Sequence, residues 1–116
     1  MEQLALRFKG LCDPTRLRVL RLLDHGERCV CDLMAALDLP QSTVSRHMSF
    51  LRNGGWVSSR RKGKWVYYTL AEPQDAIQSE VLEILRNRLP DLEQARRDHE
   101  RLMTHLANKT EETCSN

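Results

Sequence analysis

The sequence predicts a mostly α-helical fold with one β-hairpin, a winged helix-turn-helix that pairs as a homodimer through its N- and C-terminal helices. Three observations predict it. Residues 27–56 hold two short apolar helical patterns separated by a tight polar turn. A basic, aromatic and β-branched segment follows with the spacing of a hairpin. Near the C-terminus, apolar residues recur at intervals of three and four, a narrow seam that calls for a partner helix.

Taken in order, Leu4, Phe8 and Leu11 fall at i, i+4 and i+7, the pattern of a short amphipathic helix over residues 2–11. Asp13-Pro14 then supplies an N-cap and a proline at the first helical position. That helix should run to about His25, with Leu17, Leu20 and Leu23 inward and Arg16, Arg18 and Arg21 outward, and end at Gly26. Val30, Leu33, Met34 and Leu37 share one face of the next helix. Asp38-Leu39-Pro40 leaves room only for a turn, because Pro40 disfavours helical geometry at Leu39. Val44, Met48 and Leu51 are the inner positions of the following helix, which Gly54-Gly55 stops.

Residues 56–61 and 64–70 read as strands joined by Lys62-Gly63. Val66, Tyr68 and Leu70 should face the core, while Trp65 and Tyr67 pack on the sheet rather than stack on nucleic acid. Pro73 leads into a helix with Ile77, Val81, Ile84 and Leu85 on one side, and Pro90 interrupts it. Leu92, Ala95, His99, Leu102 and Leu106 form the C-terminal seam. A chain of 116 residues has little spare core to cover that seam, so a second copy is the expected source. Residues 1–107 form one DNA-binding and dimerisation domain, and 108–116 form a disordered polar tail.

The net charge of +2 conceals an uneven distribution. Between Gln41 and Leu70 lie Arg46, Arg52, Arg60, Arg61, Lys62 and Lys64 and no acidic residue. The other twelve Lys and Arg share the remaining chain with all sixteen Asp and Glu. A basic block on an otherwise acidic chain is the footprint of a nucleic-acid binder. On the second helix of the helix-turn-helix, Gln41, Ser42, Thr43, Ser45, Arg46 and His47 remain outside the core set. They suit phosphate and base-edge contacts. Arg60, Arg61, Lys62 and Lys64 at the hairpin tip suit the flanking backbone or minor groove. No apolar run approaches membrane-spanning length, and the N-terminus lacks a basic-then-apolar leader, so a cytoplasmic location and no membrane partner are expected.

Of the four cysteines, 12, 29, 31 and 114, only Cys29 and Cys31 cluster. A reducing compartment argues against a disulfide framework and for metal, metalloid or redox chemistry. On a regular helix, residues i and i+2 point about 200° apart. Both sulfurs reach one ion only if Cys29 lies outside the helix or its first turn unwinds. The alternative is that Cys31 simply fills core space.

The stretches Phe-Lys-Gly-Leu-Cys-Asp-Pro-Thr-Arg-Leu-Arg-Val-Leu (8–20), Arg-Cys-Val-Cys-Asp-Leu (28–33), Gln-Ser-Thr-Val-Ser-Arg-His-Met (41–48) and Gly-Lys-Trp-Val-Tyr-Tyr (63–68) together resemble the ArsR family of winged-helix repressors. The match is best to its arsenic-responsive branch and covers roughly residues 4–106. The resemblance implies a homodimer on double-stranded operator DNA that represses an arsenical-resistance operon. It would dissociate when trivalent arsenic or antimony binds, and would need no organic cofactor. The family's ligands map onto Cys29 and Cys31. Its frequent third cysteine maps onto Met34, a neutral thioether and a poorer ligand, which leaves Cys12 as a candidate substitute or a core residue. The family's zinc sites of Asp and His pairs on the last helix are not expected, because His99 and His105 lack that spacing.

Two competing functions remain. A redox-responsive repressor would oxidise Cys29 and Cys31 instead of binding an ion. A thiol enzyme lacks a base, since the nearest histidine, His25, sits across the Gly26 break, and it leaves the basic block without a role.

Overall fold

A computed structural model describes residues 1–109. Six helices and a small sheet follow one another as α1 (Glu2–Leu11), α2 (Pro14–Leu22), β1 (Arg28–Cys29), α3 (Val30–Leu37), α4 (Gln41–Asn53), β2 (Val57–Lys62), β3 (Trp65–Leu70), α5 (Ala76–Arg88), a 3-10 turn (Leu89–Asp91) and α6 (Glu93–Ala107). The strand order is β1-β3-β2, antiparallel throughout. This is the expected mostly helical, winged helix-turn-helix architecture, and no described helix is long and apolar enough to cross a membrane. Residues 110–116, which include Cys114 and most of the expected polar tail, lie outside the described residues.

The core forms where α2, α3 and α4 converge beneath the sheet. Val19, Leu20, Leu23, Leu33, Ala36, Val44, Met48 and Leu51 are buried together with Trp56 and Val57. The Asp13 carboxylate accepts the Thr15 and Arg16 N–H groups, so α2 starts where its Asp-Pro pair places it. It ends at Leu22, earlier than expected, and a turn carries the chain to Gly26 at φ 132°, open to glycine at little cost. Asp38 closes α3 in the left-handed conformation at φ 55°, one of the short polar residues that tolerate it. The Trp56 indole N–H donates to the Arg7 carbonyl at 2.8 Å and fastens α1 across the end of α4.

Several expectations are corrected. The hairpin turn is Gly63-Lys64 rather than Lys62-Gly63, because Lys62 pairs with Trp65 and Gly63 supplies the positive φ of 63°. Arg16 is buried, not outward. Its Nε donates to the Gly10 carbonyl at 2.7 Å, and its guanidinium lies 4.5 Å from the centre of the Phe50 ring. On α5 Gln78 and Leu82 are buried and Val81 and Leu85 pack against the core as expected, but Ile77 and Ile84 are exposed. The Gln78 amide N–H bonds the Gly55 carbonyl at 2.8 Å, so a polar residue docks this helix.

The C-terminal seam is also read differently. Ala95 and Leu102 are buried within the chain, and α6 lies against α3 and α2. Arg18 of α2 holds the buried Asp98 of α6 through two bonds of 2.9 and 2.8 Å. Ala95, Leu102 and Leu106 of the seam find partners in their own chain, whereas Leu92 does not. The apolar residues left exposed on the terminal helices are instead Leu6, Phe8, Leu92 and Met103.

Candidate functional site

Cys29 is where strand becomes helix. Arg28 and Cys29 pair with Tyr68 and Tyr67 of β3, which holds Cys29 extended at φ −69° and ψ 153°. Val30 then enters α3, so Cys29 is its N-cap and lies outside the helix. The cap is reciprocal. The Cys29 sulfur accepts the Asp32 backbone N–H, and the Asp32 carboxylate accepts the Cys29 N–H at 2.9 Å. Cys31 follows in the first turn, also buried. Cys29 therefore lies off the helix and Cys31 within its first turn.

Burial pushes the Cys29 thiol above its ordinary range, and this outweighs the Cys31 and Val30 N–H groups aimed at the sulfur. The helix end alone would have lowered it.

The sequence reading missed the surroundings of this pair. Asp32 is 3% exposed, and its second oxygen takes bonds from His105 Nε2 at 3.0 Å and Lys109 Nζ at 2.9 Å. Cys31 Sγ, an Asp32 oxygen and a His105 nitrogen all lie within 4.8 Å of one another. Asp32 and His105 are 73 positions apart, and no periodic signal links them. His105, which the spacing argument sets aside as a ligand, falls in this group, whereas His99 does not. Met34 is half-buried. Cys12 is exposed rather than a core residue, its thiol donating to the Phe8 carbonyl at 3.2 Å, and it does not belong to the clustered group among the described residues.

The second surface is built on α4 and the hairpin. Gln41, Ser42 and Arg46 are exposed, and Thr43 and Ser45 are half-buried. Pro40 at the N-cap offers no side-chain acceptor, so the first-turn N–H groups of α4 are left for an external anion. His47 does not share this face. It is 8% exposed, with Nδ1 3.4 Å from Arg16 Nη1 and 3.8 Å from Asp13 Oδ1. Its burial depresses the imidazole pKa, Arg16 and Arg46 depress it further, and Asp13 opposes them.

On the hairpin, Arg60, Arg61, Lys62 and Lys64 are all exposed. Arg60 differs from its neighbours. Both of its bonds go to Glu27 at 2.6 Å, and its guanidinium sits 5.0 Å from the centre of the Tyr67 ring. Trp65 and Tyr67 are half-buried sheet residues that carry Lys64 and Arg60 over their rings. Arg52 of α4 donates to Ser59 of β2 at 3.2 Å, tying the helix to the hairpin.

Comparison with known proteins follows the same outline. Residues 13–59 match the family described as bacterial regulatory protein, arsR family. The arsenical resistance operon repressor of Escherichia coli K12 is 37% identical over 109 residues, which covers 93% of this chain and 86% of the relative. The arsenic resistance transcriptional regulator ArsR1 of Pseudomonas putida KT2440 is 52% identical over 64 residues, 54% of this chain and 50% of that one. Among solved structures, the homodimeric winged helix-turn-helix DNA-binding domain Mb0332 of Mycobacterium bovis is 30% identical. It covers 79% of this chain and 83% of that chain, with a TM-score of 0.64.

Proposed function

The chain belongs to the arsR family of bacterial regulatory proteins, and on that premise we propose that it is a metalloid-responsive transcriptional repressor, cytoplasmic and homodimeric. In this reading it binds operator DNA and is released when trivalent arsenic or antimony binds Cys29 and Cys31. The observation that carries the sensing half is the place of Cys29. As an extended N-cap outside α3, its sulfur is not obliged to point away from that of Cys31. Two sulfurs are a donor set that suits a soft, thiophilic ion, and the half-buried Met34 adds at most a weak third donor. The remaining position is filled by Cys12 or by an oxygen from solvent.

The raised Cys29 pKa bears on the choice between the two switches. Trivalent arsenic exists at neutral pH as a neutral hydroxide. The Cys29 thiol hydrogen leaves with an arsenic-bound hydroxyl as water, so a protonated Cys29 is a competent partner. Peroxide, by contrast, reacts with the thiolate, which burial at Cys29 suppresses.

For DNA, Gln41, Ser42, Thr43, Ser45 and Arg46 read the major groove, while Arg61, Lys62 and Lys64 hold the flanking backbone. Arg60, engaged by Glu27, contributes less. A second copy covers Leu6, Phe8, Leu92 and Met103, together with the apolar hollow between Pro14, Leu17, Leu89 and Ala95. A two-fold dimer of this kind places two recognition helices on a palindromic operator. X-ray absorption of the arsenite-loaded protein in a phosphine reductant tests the sensing site. Two or three sulfur neighbours are expected, and an all-oxygen shell would refute it.

A further inference from the structure

Resting on that reading, we propose that the contact between Asp32 and His105 transmits occupancy of Cys29 and Cys31 to the C-terminal helix α6. A buried carboxylate must keep its hydrogen-bond donors. Asp32 has three nitrogen donors, the Cys29 N–H at 2.9 Å, His105 Nε2 at 3.0 Å and Lys109 Nζ at 2.9 Å, and the Cys31 sulfur lies 3.9 Å from one of its oxygens. The first is one half of the reciprocal cap whose other half is the Cys29 sulfur itself. A ligand that recruits that sulfur removes it from the Asp32 N–H and draws the Cys29 backbone with it. The carboxylate then loses that donor and turns toward the two nitrogens that remain, His105 near the end of α6 and Lys109 just beyond it.

Beyond His105, α6 is not isolated. Asp98, 1% exposed, is gripped by Arg18 of α2. Two residues earlier on α2, Arg16 contacts His47 of α4. The route from Cys29 and Cys31 to the recognition helix thus runs through three side-chain contacts, each joining a different pair of helices. It supplies a mechanical path besides the direct packing of α3 on α4. None of its members touches the proposed DNA face, so its disruption should separate operator affinity from the response.

The test measures arsenite uptake and operator release separately for wild type, His105→Leu and His105→Gln, in a phosphine reductant. His105→Leu should bind arsenite and operator like the wild type, while the arsenite-induced loss of operator affinity shrinks about tenfold, the size of a typical coupling. His105→Gln, whose amide can donate to Asp32, should recover most of that response. A His105→Leu protein that releases DNA as wild type does would overturn the proposal. If His105→Leu does not fold, the ring-nitrogen NMR signals of His105 in the wild type decide. They should shift on arsenite addition, and signals that stay fixed while DNA is released would equally overturn it. A wild type that takes up no arsenite refutes the sensing reading instead, so the two failures are distinguishable.

Discussion

Cys29 lies opposite Tyr67 in the antiparallel pairing of β1 with β3, so the residue that caps α3 is also a sheet neighbour of the wing. Any ligand that recruits the Cys29 sulfur therefore acts on both parts of the DNA-binding surface. Hydrogen exchange should report it. On arsenite binding, whichever of the adjacent Tyr67 and Tyr68 amides faces β1 should lose protection by about tenfold or more, as a locally opened strand does. The β2-β3 pairs near Val57 and Leu70 should be unchanged.

The basic hairpin should set the salt dependence of operator binding, but its four cations should not be equivalent. Arg61→Ala and Lys62→Ala each remove one phosphate contact per protomer. The slope of log K against log salt should become shallower by roughly 2 for the dimer. Arg60→Ala should change the slope by less than half as much, since Glu27 already balances that charge. Equal effects from Arg60 and Arg61 would show that the Glu27 pair opens on DNA.

Leu102 and Met103 are neighbours with opposite roles. Leu102 is 2% exposed and packed within the chain, so Leu102→Asp should cost several kcal/mol, about 3 or more, and unfold the protein. Met103 is 41% exposed, and Met103→Asp should leave a folded chain that sediments as a monomer. Thermal denaturation and sedimentation together separate these outcomes. A folded Leu102→Asp protein would contradict the packing described above.

Much of this was legible in local sequence, because capping, turn and periodicity rules act over a few residues. Asp13-Pro14, the Asp38-Leu39-Pro40 turn and the Val44, Met48, Leu51 face all carry such signals. The failures share a cause. The two-residue strand at Arg28 has no strand pattern of its own and exists because β3 pairs with it. Arg16 looks like a solvated charge until the Gly10 carbonyl and the Phe50 ring arrive from other helices. The C-terminal seam looked like an intermolecular one because periodicity reveals a buried stripe and not its partner. Asp32 with His105 is the same case at the site itself, a contact across 73 positions.

His47 gives a pH dependence whose sign follows from its lowered pKa. The folded protein favours the neutral ring, while the unfolded chain takes up a proton near the ordinary value of about 6.5. Stability is therefore complete above that value. It declines as pH falls from there toward the folded pKa, below which the loss is constant. Wild type should melt at a lower temperature at pH 5 than at pH 7. His47→Gln should reduce that difference, measured by circular dichroism at both pH values.

The central claim is that the Cys29 and Cys31 sulfurs are needed for release and not for repression. Cys29→Ser and Cys31→Ser are nearly isosteric and keep a side chain that can cap the helix. Fluorescence anisotropy of labelled operator during arsenite titration, in a phosphine reductant, tests this directly. The double mutant should bind operator with wild-type affinity and stay bound at arsenite concentrations that free the wild type. Wild-type release from the double mutant would contradict the mechanism.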